Sequence, residues 1–248
     1  MKCFGITDKG CVREENQDSF IVEKCDNGSC FILALCDGMG GANAGDIASQ
    51  LSAKAFVSYL YNRLSVSAGR NSDLPWQMQA ACEEANGVSF AYSQFGDNLS
   101  GMGTTLVGAV IRFNGKGYVI NVGDSRAYYF NRRSKLLTQI SHDHSLVEEL
   151  LEFGAITKEQ AEHHPQKNVI TRALGSEEDI ESDVFSVELG IGDVMIFCSD
   201  GLSNVVNDEE IAQLCLEEKQ EDILCHALVD LALQRNAPDN VTVVVLKR

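Results

Sequence analysis

The chain has 248 residues, 44% of them hydrophobic, with 20 Lys or Arg against 36 Asp or Glu and a formal net charge of −16. That length and apolar content suit one sizeable core without a dividing linker, and no apolar stretch approaches the ~18 residues of a membrane span. The charge repels nucleic acid and anionic membrane surfaces, which argues against both as partners and leaves cations as the natural ones.

In chain order, strand patterns occur at KCFGIT, SFIVEK and FILALC, then at TLVGAVIRF, GYVINV, RAYYFN and KLLTQI, joined by short turn-rich links. Links that short imply antiparallel pairing. Between the two strand groups, Ile47, Leu51, Ala55 and Leu60 recur at helical spacing, as do Met78, Ala81, Ala85 and Val88, which predicts an inserted helix pair. A polar helical segment follows over 145–168, then strands VFSVEL and DVMIFC, two helices near 208–217 and 220–235, and a last strand VTVVVLK. In the second of those helices the predicted stripe is Ile223, Leu224, Ala227, Leu228 and Leu231. Strands in groups and helices in pairs predict an α+β fold with antiparallel sheets in the middle and helices outside, in a single domain over 1–248.

The nine cysteines are scattered and mostly embedded in apolar runs, a pattern of reduced thiols. Cys25 and Cys30 flank the turn-like DNGS and read as small hydrophobes beside it. The opening MKCFGITDKG lacks the apolar core of a signal peptide, and a cytoplasmic monomer is the expectation.

Four aspartates share one setting, at or beside the end of an apolar strand: Asp37 in ALCDGMGG, Asp124 in INVGDSR, Asp200 in IFCSDGLS and Asp239 in NAPDNVTVVV. A strand held in a sheet is a rigid platform, and small neighbours give an ion access to backbone carbonyls and water. Hard divalent cations such as Mg²⁺ and Mn²⁺ take oxygen ligands and keep several waters. Any one Asp-Gly or Asp-Asn is an ordinary turn dipeptide, but four converging in an apolar interior would be prohibitive without a cation. In the N-terminal turn VREENQDSF, Arg13 precedes Asp18 by five residues. A planar guanidinium matches two phosphate oxygens, and an acid a few residues on is placed to reach a metal beside it.

Other chemistries lack their residues. No cysteine has an Arg six positions on, as a cysteine phosphatase needs, and no GxxxxGK[ST] occurs. CDGMGG resembles a dinucleotide fingerprint, but Asn43 stands where its third glycine belongs, and GMGTT fails likewise. His142 and His144, two apart in SHDHS, tempt a metal reading; without a partner motif, loop hydrogen bonding is the better account.

Taken together, RxxNQD at 13–18, DGMGG at 37–41, GTT at 103–105, GDSR at 123–126, DHS at 143–145, NVITRALG at 168–175, SDGL at 199–202 and DN at 239–240 resemble the metal-dependent Ser/Thr protein phosphatases of type 2C, bacterial branch. The resemblance implies a four-layer α-β-β-α sandwich of two antiparallel sheets flanked by helix pairs. It also implies a flap over about 146–175 and a centre of two divalent cations, Mn²⁺ or Mg²⁺. Carried over, Asp37 bridges the two metals and the Gly38 carbonyl binds one of them. Asp200 and Asp239 bind the other, Asp18 sits beside that second metal, and Arg13 holds the substrate phosphate. Asp124 with Asp200 would supply a third, weaker metal site.

The implied activity is hydrolysis of phosphoserine and phosphothreonine in proteins, in opposition to a Ser/Thr kinase. The alternatives are a catalytically silent relative that binds phosphoproteins or senses a signal, and an acidic metal-binding structural protein, which would leave Arg13 without purpose. Met39 stands where eukaryotic members carry a histidine thought to protonate the leaving oxygen; a thioether cannot donate a proton, so that role is unassigned. The flap segment has two other readings, a plain helical hairpin or a partner-docking surface. His163 and His164 within it receive no catalytic role.

Overall fold

The computed structural model describes residues 1–40, 44–66, 73–95, 99, 101–162 and 164–248. Gly41, Asn43 and His163 lie outside the described residues. One sheet has the strand order β1 (Lys2–Asp8), β11 (Val241–Lys247), β10 (Val194–Cys198), β7 (Arg126–Asn131) and β8 (Leu136–Gln139). The other runs β2 (Asp18–Lys24), β3 (Cys30–Met39), β5 (Leu106–Arg112), β6 (Lys116–Val122) and β9 (Asp183–Glu188), with β4 (Gly103–Thr104) paired to the end of β3. Every pairing is antiparallel, as the short links predicted.

The period-2 alternation of apolar strands explains the layering. In β3, Leu33 and Leu35 face the opposite sheet, where they meet Phe197, Val244 and Leu246, while Ile32, Ala34 and Cys36 face a helix layer. In β11, Val244 and Leu246 face inward and Val243 and Val245 face the second helix layer. Both central sheets are therefore covered on both faces. The first helix layer is α1 (Ala44–Leu64) and α2 (Leu74–Ser93), the latter opened by Pro75 in its first turn. The second is α6 (Asp208–Glu217), started by an Asn207/Glu210 capping box, and α7 (Glu221–Gln234). The result is the α-β-β-α sandwich.

Details differ from the sequence reading. The buried face of α1 includes Ala48, Ser52, Phe56, Leu60 and Leu64: Leu60 is buried as predicted, the rest of the predicted stripe is one position off, and Ile47 and Leu51 pack in a satellite cluster with Met102. In α7, Leu224 and Leu228 are buried as expected, but Cys225, Val229 and Ala232 complete the stripe and Ile223 is exposed. The predicted helical segment over 145–168 splits into α3 (Leu146–Glu152) and α4 (Lys158–Glu162), broken at Phe153 and Gly154. Its far end returns through bridges Ser145–Ile170 and Thr104–Leu174. All nine cysteines are free thiols.

Candidate metal centre

Asp18 opens β2 and pairs directly across the ladder with Asp37 in β3. Asp37 thus lies within its strand, because β4 supplies Gly103 and Thr104 as partners that extend β3 to Met39. Asp124 follows β6, and Asp239 precedes β11. Asp200 opens the one-turn helix α5 (Asp200–Ser203), too short to leave a periodic signal in the sequence. All five meet at one end of the two sheets. Arg13, Asp37, Met39, Asp124, Asp200 and Asp239 line a cleft of about 240 Å³ there, and Asp18 lies buried beneath it.

Two glycines permit the approach. A Cβ on Gly38 would stand 2.0 Å from the Gly45 carbonyl oxygen, so only glycine lets the start of α1 press against the strand that carries Asp37. A Cβ on Gly201 would stand 1.9 Å from the Asn240 oxygen, and its absence brings Asp200 beside the Asp239 turn.

Residues whose roles the sequence did not assign hold the acids in place. Thr105 Oγ1 accepts the Asp37 N–H at 2.9 Å, while Thr105 N–H and the Thr104 hydroxyl donate to the Asp37 carbonyl at 2.9 and 2.8 Å. Ser199 and Thr242 hydroxyls donate to Asp18 Oδ2 at 2.7 and 2.6 Å. Asn240 pins the N-terminal turn: its Oδ1 accepts from Gln17 N at 2.8 Å, and its Nδ2 donates to the carbonyls of Lys9 and Glu15 at 2.9 Å each. That turn presents Arg13, which donates to Asp239 Oδ2 at 2.7 Å.

The electrostatics are those of an undercompensated acid cluster. Burial, with Asp18 and Asp200 adding repulsion, pushes the Asp37 carboxyl well above its ordinary range. Burial also raises Asp18 to about 6, against the two hydroxyls that favour its charged form. Asp124 is pushed up to about 7 by burial and by Asp200, and Asp200 is raised by burial and Asp239. Of the nearby cations, Arg13 is engaged with Asp239 and Arg126 with Asp143. Asp18 Oδ1 and Asp200 Oδ1 are buried with no hydrogen-bond partner. Among the described residues no three His, Cys, Asp or Glu side chains are arranged to hold an ion unaided. Hard oxygen donors with orphaned lone pairs and room for water therefore fit cations that retain part of their hydration.

A second groove of about 630 Å³ shares Asp124, Asn168 and Asp200 with the cleft. One wall is the flap, including Lys158 and Lys167; the other includes Asn204 and Asp208. Of the two histidines of SHDHS, His142 packs at a tilt against Phe185 with ring centroids 5.4 Å apart, and His144 Nδ1 accepts the Gly123 N–H.

The protein phosphatase 2C family model matches residues 12–227. The chain belongs to the protein phosphatase 2C family. It is 36% identical to the serine/threonine phosphatase stp of Listeria monocytogenes, over 98% of this chain and 94% of that protein. The crystal structure of the serine/threonine phosphatase Stp1 from Staphylococcus aureus superposes with a TM-score of 0.90 at 33% identity, covering 100% of this chain and 94% of that one. The catalytic domain of the phosphatase PstP, solved in complex with two manganese ions, gives a TM-score of 0.82 at 35% identity, covering 98% and 96%. As in those phosphatase 2C structures, two antiparallel sheets lie between helices, and the family resemblance and fold expected from the motifs are both borne out. No described helix is long and apolar enough to cross a membrane.

Proposed function

We propose that this phosphatase 2C chain hydrolyses phosphoserine and phosphothreonine monoesters in proteins with two divalent cations, Mn²⁺ or Mg²⁺, and a third, weaker one. The observation that carries this reading is the cluster of carboxylates around a cleft, Asp18 buried and Asp37, Asp124, Asp200 and Asp239 half-buried, with two buried oxygens left without a partner and Arg13 at the rim. When bound, the two cations activate a shared water for in-line attack and offset charge on the phosphoryl oxygens. Asp37 would bridge them, with the Gly38 carbonyl on one and Asp200 and Asp239 on the other. Asp18 lies buried below and would act on that side through water. Asp124 and Asp200 would hold the third.

Arg13 is more than half exposed, and its side chain reaches the cleft from a turn that Asn240 holds in place, so it is positioned to orient the phosphate. Met39 lines the cleft and donates no proton, so the leaving oxygen takes its proton from water on the Asp124 side. The groove beneath the flap, about 146–175, receives the substrate chain. We further read residues 1–248 as one catalytic domain, cytoplasmic and monomeric, that opposes a Ser/Thr kinase and has no nucleic-acid or membrane partner. The test is phosphate release from a phosphothreonine peptide with and without Mn²⁺, with EDTA and Asp239→Asn as controls. Release that requires metal and fails in the variant is expected; binding of the phosphopeptide without any metal-dependent release would favour the silent relative.

A further inference from the structure

Between the Asp124 turn and the flap stands His144, a side chain that the proposed reaction does not use. It is 7% exposed and belongs to the segment that leads into α3. Its Nδ1 accepts the Gly123 N–H at 3.1 Å, and its own N–H donates to the Gly123 carbonyl at 3.0 Å, so the residue beside Asp124 is held twice. On the far edge of the ring, Nε2 lies 3.3 Å from Asp183 Oδ2, and Arg172 Nη1 lies 3.4 Å from both Nε2 and Asp183 Oδ1. The His144 carbonyl accepts the Thr171 N–H at 2.8 Å.

The donor logic fixes the tautomer. A backbone N–H only donates, so Nδ1 is bare, and in the neutral ring the proton sits on Nε2 and is given to Asp183. Arg172 also only donates, so its bond goes to Asp183 and the imidazole is its neighbour. Burial keeps the ring neutral by lowering its pKa. The ring therefore carries an acceptor facing the Asp124 turn and a donor facing the ion pair at the base of the flap. The flap's return segment passes Asn168, which lines both the cleft and the groove.

We propose that His144 is a positioning residue that locks the Asp124 turn and the base of the flap into one register, so that a substrate chain displacing the flap alters the carboxylate on the cleft's far wall. The effect is reciprocal: a ligand at Asp124 and a chain under the flap each shift the other's affinity by the same factor. The cation part of this rests on the proposed third site; the mechanical part does not.

The two nitrogens can be separated by substitution. Asn at 144 offers an acceptor near the Nδ1 position but falls short of Asp183, whereas Gln reaches toward Asp183 and leaves Gly123 unpaired. Hydrogen–deuterium exchange on the full chain reads both ends, and Mn²⁺ calorimetry reads the cation. His144→Asn should leave the amides of 122–126 protected and speed exchange in 168–173 about five- to tenfold, the scale of one lost hydrogen bond. His144→Gln should do the reverse and weaken the weakest Mn²⁺ step by a similar factor. Equal responses of both segments to both variants, or none in His144→Ala, would overturn the proposal. If Asp124→Ala takes up Mn²⁺ as the unaltered chain does, the third-site reading fails, while the exchange pattern still decides the role of His144.

Discussion

Strand β10 has an aspartate at each end, Asp193 buried and Asp200 half-buried, and the two live differently. Asp193, just before it, accepts from Tyr129 Oη at 2.5 Å, Gly190 N at 2.6 Å and Arg132 N at 2.9 Å, so both of its oxygens are engaged. Asp200, just after it, accepts from Asn204 Nδ2 at 2.9 Å through Oδ2, while its Oδ1 is buried without a partner. Asp239 repels Asp200, and Asp200 in turn repels the Asp37 carboxyl. Buried charge is costly unless it is paired and hydrogen-bonded. One end of the strand meets that requirement from the chain alone. The other leaves one oxygen without a donor, as the proposed metal site requires, which distinguishes it from an acid satisfied by the fold.

If that separation is right, the largest effect comes from Asp37→Asn. Turnover on a phosphothreonine peptide should fall by about 10³-fold or more, the scale on which a main electrostatic element of a site is felt. With metal removed, the same variant should melt higher than the parent, since a carboxyl that burial and its acidic neighbours disfavour is gone. Asp193→Asn should reverse the profile: kcat unchanged at low temperature, stability down by about 1–3 kcal/mol, and a melting temperature lower by roughly 3–10 °C in calorimetry.

A smaller effect concerns pH. Asp18 and Asp124 titrate near 6 and 7 in the folded chain, above an unfolded carboxyl near 4. The folded state thus holds more protons in that window, and metal-free stability should fall as pH rises from about 4 through 7. Saturating Mn²⁺ should invert the slope, because ligation requires the ionised form. Denaturant melts in EDTA and in Mn²⁺ across that range check it. The smallest effect is expected from Thr242→Val, which removes one donor from Asp18 and should move the window upward by at most ~1 pH unit.

The strands and their antiparallel pairing were legible because period-2 apolar runs and short turns are local signals. Helix faces were less so: α1 carries Ala and Ser on its buried side, so its larger Ile47 and Leu51 misled the stripe by one position. β4 and α5, of two and four residues, are too short for any period. The candidate acids were legible from their places beside apolar strands, three of them (Asp37, Asp200 and Asp239) in Asp-Gly or Asp-Asn. Their supports were not, because Ser199 and Thr242 reach Asp18 across 181 and 224 residues of sequence and only the stacked sheets bring them together. Asn240 was visible in the DN dipeptide, but its grip on the turn that bears Arg13 needed the fold. Gly38 was expected to expose a carbonyl to a ligand; its tight contact with Gly45 adds a steric reason for the same residue.

On the proposed reading, divalent cations complete the acids left short of donors. Calorimetric titration of Mn²⁺ near pH 6.5, repeated in buffers of different ionisation enthalpy, tests it directly, because carboxyls with raised pKa values must give up protons as they ligate. At least two bound ions with net proton release are expected, lost in Asp37→Asn and intact in Asp193→Asn. Mn²⁺ uptake without proton release, or uptake indifferent to Asp37, would contradict it.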